Sequence, residues 1–228
     1  MLVKYWMSPQ VFSIDADASM QDAVNLMKKY TIRMLPVTRK EKLVGVLTDR
    51  DLKRASASDA TTLEIHELLY LLSKIKVKDI MSKNPITVSP DLTVEETAET
   101  LLKNKISGAP VLDDRGKIVG VITQSDIFKV LIALTGVGNS GIQFAFKLED
   151  RPGSIKEIAD VIRSVGGRMV SILTSYENVE KGFRKVYIRM HSIDRQKLSS
   201  LKDRLQKMAT LLYMVDHRQN RREIFVEE

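Results

Sequence analysis

Apolar positions in the first 135 residues recur in two matching runs. Shifting the segment that begins Met7-Ser8 by 74 positions lands it on Met81-Ser82, and the same shift carries Asp17 to Asp91, Ile32 to Ile106, Pro36 to Pro110 and Val37 to Val111. One extra residue near Gly116 makes the shift 75, after which Val44-Gly45-Val46 matches Val119-Gly120-Val121, Thr48 matches Thr123 and Asp51 matches Asp126. Two blocks in one register mark an internal repeat. Each copy opens with an extended piece, Val11 to Ile14 or Ile86 to Val88. A capping box follows, Ser19-Met20-Gln21-Asp22 or Thr93-Val94-Glu95-Glu96, and apolar residues at helical spacing come next. A strand through Leu35-Pro36-Val37 or Ala109-Pro110-Val111, a polar turn and a second apolar strand, Leu43 to Leu47 or Ile118 to Ile122, complete the sheet. Second helices start at Asp49 and Ser125, and Thr62 to Lys74 reads as an apolar helix joining the copies. Each unit has one sheet face to cover, so the two are expected to pack together.

The pattern changes after Gly136-Val137-Gly138-Asn139-Ser140-Gly141, which reads as a flexible hinge. Gln143 to Leu148 is extended, and Ser154-Ile155-Lys156-Glu157 reads as a capping box opening a helix that stops at Gly166-Gly167. Met169 to Tyr176 and Phe183 to Met190 read as a hairpin. Asp194 caps a helix striped by Leu198, Leu201, Leu205 and Met208, and Leu211 to Val215 closes the sheet. This βαββαβ order is ferredoxin-like, giving an α/β (α+β) fold class overall. The expected limits are 1–58 and 75–135 for the repeats, 59–74 for the joining helix, 136–141 for the hinge, 142–217 for the second module and 218–228 for a solvated tail.

Composition narrows the chemistry. In 228 residues there are 36 Lys+Arg against 29 Asp+Glu, a formal charge of +7 that favours anionic partners without choosing among them. The absence of Cys removes thiolate nucleophiles and Cys-based metal sites. His66, His191 and His217 have no ligand spacing, so no metal site is expected. No triad or acid pair emerges, and the chain is expected to be non-catalytic. The start, Met-Leu-Val-Lys-Tyr-Trp-Met-Ser-Pro, lacks the pattern of a signal peptide, and no apolar run would span a bilayer, so a cytoplasmic protein is expected.

The signatures Val-Gly-Val-Leu-Thr-Asp-Arg-Asp at 44–51 and Val-Gly-Val-Ile-Thr-Gln-Ser-Asp at 119–126 occur with Ile32-Arg33-Met34-Leu35-Pro36-Val37 and Ile106-Ser107-Gly108-Ala109-Pro110-Val111. In this combination the first half resembles a tandem pair of CBS domains. The Thr-x-x-Asp element stands where a strand enters a helix, a junction whose free N–H groups and dipole favour phosphate. A Thr hydroxyl can add a donor there, and Asp can accept from two ribose hydroxyls. The bland alternative is that Thr48 and Thr123 only end strands while Asp51 and Asp126 only cap helices. The resemblance implies adenine nucleotide as a regulatory ligand, with no resident cofactor, in clefts built from both copies. One site would combine Thr48, Asp51 and Val46 with Ser82, Ile86, Ile106 and Ser107. The other would combine Thr123, Asp126 and Val121 with Ser8, Phe12, Ile32 and Arg33. Arg50, Lys53 and Arg54 beside Asp51 are expected to suit ADP or ATP better than Ser125, Phe128 and Lys129 beside Asp126.

Asp150-Arg151-Pro152-Gly153-Ser154 resembles the turn of an ACT domain, which implies an effector near Asp150 and Gly153, although both could simply shape the turn. An RNA-recognition motif shares the βαββαβ order, and Lys181 to Ile188 partly mimics it. Lys185 and Ile188 stand where that motif needs stacking rings, so nucleic acid is not the expected partner. A CBS pair followed by one ACT domain resembles the acetoin-utilization (AcuB-type) family. The expectation is a cytoplasmic regulatory sensor of AMP, ADP or ATP acting on a partner enzyme in acetoin or central carbon metabolism, with homodimerisation implied by the resemblance. The alternatives are an RNA- or DNA-binding regulator and a sensor of S-adenosylmethionine or an amino acid.

Overall fold

The structure is a computed structural model, described for residues 1–57, 74–139 and 141–226. Apart from Lys74, the helix expected over Thr62 to Lys74 lies outside the described residues. The chain divides into two compact units, Met1–Phe128 and Lys129–Glu228.

In the first unit, β1 (Ile14–Asp15), α1 (Met20–Tyr30), β2 (Met34–Arg39), β3 (Lys42–Thr48) and α2 (Asp49–Ala57) form one module. After α3 (Val77–Ile80) and β4 (Ser82–Lys83) come α4 (Val94–Lys103), β5 (Gly108–Leu112), β6 (Ile118–Thr123) and the start of α5 (Gln124–Thr135). Both expected capping boxes are formed: the Ser19 and Thr93 side chains accept from the N–H groups of Asp22 and Glu96, whose carboxylates accept in return. The extended pieces are shorter than the apolar pattern implied, leaving β1 in one copy and a single bridge at Val88 in the other.

The pairing repeats with the sequence. Ile14 pairs in parallel with Val37, as Val88 does with Val111, and both hairpins shift register at the same place, after Val37 and after Val111. The repeats also exchange segments. Met81-Ser82-Lys83 crosses to the first module, where Val46 pairs with Ser82, while Ser8 pairs with Val121 of the second. Val77 is buried in the core of Met20, Ala23, Leu35 and Leu47, and Val3 in the core of Val88, Leu101, Ala109 and Ile122. The glycine of each Val-Gly-Val makes the crossing possible. A Cβ on Gly45 would stand 2.5 Å from the Met81 sulfur and 2.9 Å from the Ser82 carbonyl oxygen, and one on Gly120 2.4 Å from the Met7 sulfur.

The second unit contains β7 (Ile142–Glu149), α6 (Ser154–Ser164), β8 (Arg168–Ser175), β9 (Phe183–His191), α7 (Leu198–Met208), β10 (Thr210–Asp216) and β11 (Arg221–Ile224). The sheet order is β11-β10-β7-β9-β8, so the inner four strands follow the antiparallel ferredoxin-like order. Phe144, Phe146, Val186, Ile188 and Met190 pack on Ile158, Ile162, Leu201 and Leu205 of the two helices.

Three expectations change here. The tail is not simply solvated: Arg221–Ile224 adds an edge strand to β10, the Phe225 amide donates to the Leu212 carbonyl (2.9 Å), and Phe225 packs on the core. The Ser154 capping box is not made, because Gly153 caps α6 and the Glu157 carboxylate is held by both Nη atoms of Arg151 (2.8 and 2.7 Å). The stretch expected as a flexible hinge begins anchored: the Thr135 carbonyl accepts from Arg189 Nε (2.7 Å) and Ser171 Oγ (3.0 Å), and Gly136 is buried against Val170.

His217 gives this unit a pH response. Burial first, then the charges of Arg189 and Arg222, hold its imidazole below the usual 6.5. A folded value below the unfolded one means that this contribution to stability is complete above about pH 6.5 and is lost as the pH falls from there through the folded value. Thermal unfolding of the protein is therefore expected at a lower midpoint at about pH 5.5 than at about pH 7.5, and His217→Asn should flatten the difference. An unchanged pH dependence in that variant would remove His217 as its source.

Candidate functional site

The strand-to-helix junctions are built alike. Thr48 ends β3 and Asp51 stands in the first turn of α2. Asp51 Oδ2 accepts from the Thr48 amide (2.9 Å) and the Thr48 hydroxyl (2.7 Å). Asp126 Oδ2 does the same with Thr123 (3.0 and 2.8 Å). Both aspartates are buried, although neither belongs to a hydrophobic core cluster. The capping alternative is thus physically present, yet it uses only one carboxylate oxygen. It also changes the chemistry expected of the threonine. Its only hydroxyl proton is already given to Asp51, so toward a ligand Thr48 Oγ1 is an acceptor and not a donor. Paired acceptors suit the two hydroxyls of a ribose.

A cleft of about 340 Å³ opens at the first junction. Of the residues expected there, Val46, Thr48, Arg50, Asp51, Arg54, Ser82, Ile86, Ile106 and Ser107 all line it. Lys53 does not: it extends outward and pairs with Asp49 at 3.6 Å, because its position on α2 faces solvent. The walls are apolar where Val46, Met34, Pro85, Ile86 and Ile106 meet, and basic elsewhere. Sequence reasoning missed Lys83 and Lys105, which also line the cleft. Both adjoin matched repeat positions, and Lys105 (φ 55°) has the left-handed backbone of its repeat partner Thr31 (φ 54°). Arg50, Lys83 and Lys105 form no ion pair among the described residues, while Arg54 Nη2 donates to Asp51 Oδ1 (2.9 Å).

The second expected set includes Ser8, Phe12, Ile32, Arg33 and Val121. Ser8 and Val121 exchange two backbone hydrogen bonds beside Thr123 and Asp126 (2.9 and 3.1 Å). Phe12 stacks on Tyr30, with ring centroids 3.7 Å apart, and with Ile32 packs against the first module's core. Arg33 is exposed, and its carbonyl accepts from the Asp49 amide (3.1 Å). In the C-terminal unit, Asp150 is held by Arg184 (3.5 Å) and Tyr176 (3.4 Å), and Gly153 takes φ +88° to start α6, so both shape the turn. Phe183 carries the Lys147 ammonium over its ring (4.8 Å), and Lys185 is buried. Among the described residues no His, Asp and Glu group could hold a metal ion, and no helix is long and apolar enough to cross a membrane.

The family model for the CBS domain matches twice, at residues 3–58 and 77–133. A CBS domain-containing protein of Dictyostelium discoideum is 35% identical over 132 residues, 58% of this chain and 91% of that protein. The chain belongs to the CBS-domain family. Among solved structures, a CBS domain pair in complex with 5′-methylthioadenosine and S-adenosyl-L-methionine aligns at TM-score 0.50 and 30% identity, over 57% of this chain and 99% of the other. A Vibrio cholerae protein assigned to acetoin utilization (AcuB) aligns at TM-score 0.50 and 26% identity, over 61% of this chain and 96% of the other. In this CBS pair, then, the two Thr-x-x-Asp junctions and the exchanged segments stand within the residues that the family model matches.

Proposed function

We propose that this CBS pair is a non-catalytic regulatory sensor of adenine nucleotides, and that the Asp51 cleft takes AMP, ADP or ATP. One observation carries the reading. Three cations that form no ion pair among the described residues, Arg50, Lys83 and Lys105, line one cleft whose carboxylate among those residues, Asp51, is already balanced by Arg54. Such a site attracts a ligand with several negative charges. Val46, Ile86 and Ile106 offer a purine an apolar slot, and Thr48 with Asp51 offers acceptors to its ribose. The adenosine ligands of the related CBS pair support the base and sugar, while the cations argue against the sulfonium of S-adenosylmethionine. Nucleotide would shift the packing of the modules and so act on a partner enzyme. The ferredoxin-like unit is read as an ACT domain that relays this, and the protein as a cytoplasmic homodimer. The likeness to the Vibrio cholerae protein favours acetoin or central carbon metabolism as its setting.

Calorimetry with ATP on Asp51→Ala and Asp126→Ala tests the assignment. Each variant loses the same helix cap, so that cost is common to both. The larger loss of ATP binding is expected in Asp51→Ala. Equal losses would refute the preference of the Asp51 cleft for phosphate, and wild-type protein indifferent to all three nucleotides would refute the function.

A further inference from the structure

Both oxygens of the Asp51 carboxylate are engaged. Oδ2 closes the helix cap with Thr48, and Oδ1, the oxygen left for a ribose hydroxyl, accepts from the Arg54 guanidinium at 2.9 Å. The Asp51 side chain is only 10% exposed whereas that of Arg54 is 77% exposed, so the guanidinium covers the carboxylate from the solvent side. We infer that Arg54 is a latch, which makes entry of an adenosine ligand depend on the phosphate it carries. The inference rests on the nucleotide reading proposed above and adds to it a residue that decides which ligands are accepted.

A ribose that reaches Asp51 must displace the guanidinium. With the guanidinium in solvent and the carboxylate buried, this pair stands at the upper end of the about 0.2–1 kcal/mol of exposed pairs, so displacement weakens binding by roughly two- to fivefold. Once released, Arg54 stands in a cleft that already holds Arg50, Lys83 and Lys105. Like charges there favour its return to Asp51 unless an anion arrives with the sugar. A 5′-phosphate is that anion and can accept the guanidinium fork. Adenosine and 5′-methylthioadenosine would bear the displacement cost without compensation. S-adenosylmethionine would add a further positive charge.

The test is calorimetry with adenosine and with AMP on wild-type protein, Arg54→Gln and Arg54→Lys. Removing the latch in Arg54→Gln should raise adenosine affinity about two- to fivefold. The same variant should lower AMP affinity roughly tenfold or more, as a charge-assisted hydrogen bond to phosphate is lost. Arg54→Lys keeps the charge without the fork and should fall between. Adenosine affinity that is unchanged or falls together with that of AMP would overturn the latch and leave Arg54 an ordinary contact. Failure of both ligands to bind wild-type protein would overturn the nucleotide reading and the latch with it.

Discussion

Gly45→Val is expected to lower stability by about 3 kcal/mol and to weaken nucleotide binding in the same step. A Cβ at this position already falls 2.9 Å from the Ser82 carbonyl oxygen, a backbone atom that cannot turn aside, and 2.5 Å from the Met81 sulfur. Overpacking of this kind costs about 1–3 kcal/mol, and valine adds two further methyl groups to the clash. The strand forced away is β4, whose pairing through Gly45 with Lys83 and Val46 with Ser82 carries the chain into the cleft through Asn84, Pro85 and Ile86. Stability and affinity should therefore fall together. Gly138→Ala, where nothing lies within 4 Å of the added Cβ, is the control and should stay within about 0.5 kcal/mol. Thermal unfolding with and without AMP reads both effects. A Gly45→Val protein of wild-type stability would mean that the exchanged segment does not pack against β3 as described.

Replacing Lys83 and Lys105 together by Ala is expected to lower AMP affinity roughly ten- to a hundredfold while leaving adenosine affinity within about twofold. Both side chains line the cleft without an ion pair among the described residues, so nothing in the folded protein is left unpaired by their removal. Lys83 and Lys105 are themselves exposed, which makes a large stability loss unexpected. Their attraction for phosphate should weaken as salt is raised, so the difference between wild type and variant is largest at low ionic strength. Isothermal titration at two salt concentrations measures it. AMP affinity that survives the double substitution would place the phosphate elsewhere.

The repeat was legible because its signal is doubled: Ile14 to Val37 and Val88 to Val111 pair identically, as the shift of 74 positions requires. The exchange of segments was not. Nothing in the sequence tells in which core Val3 and Val77 lie, and each is buried in the core of the other repeat. Lys83 and Lys105 escaped for a related reason. Matching the copies draws attention to what they share, and Pro9 and Thr31 hold the equivalent places in the first copy. Residues that tune a cleft to one ligand lie where duplicated modules differ. β11 was hidden by Arg221, Arg222 and Glu223, since an edge strand held by backbone pairing needs no alternating apolar pattern. At Ser154 the capping pattern was present, but Arg151 competes for Glu157 more strongly than a backbone amide does.

The central claim is that an adenine nucleotide occupies the cleft between Asp51 and the Ile86–Ile106 wall. A crystal structure of the protein grown with AMP tests it most directly. The account predicts the ribose at Thr48 and Asp51, the purine against Val46, Ile86 and Ile106, and the phosphate among Arg50, Lys83 and Lys105 with Arg54 turned away from Asp51. AMP bound outside this cleft, or a cleft free of nucleotide at saturating concentration, would contradict it.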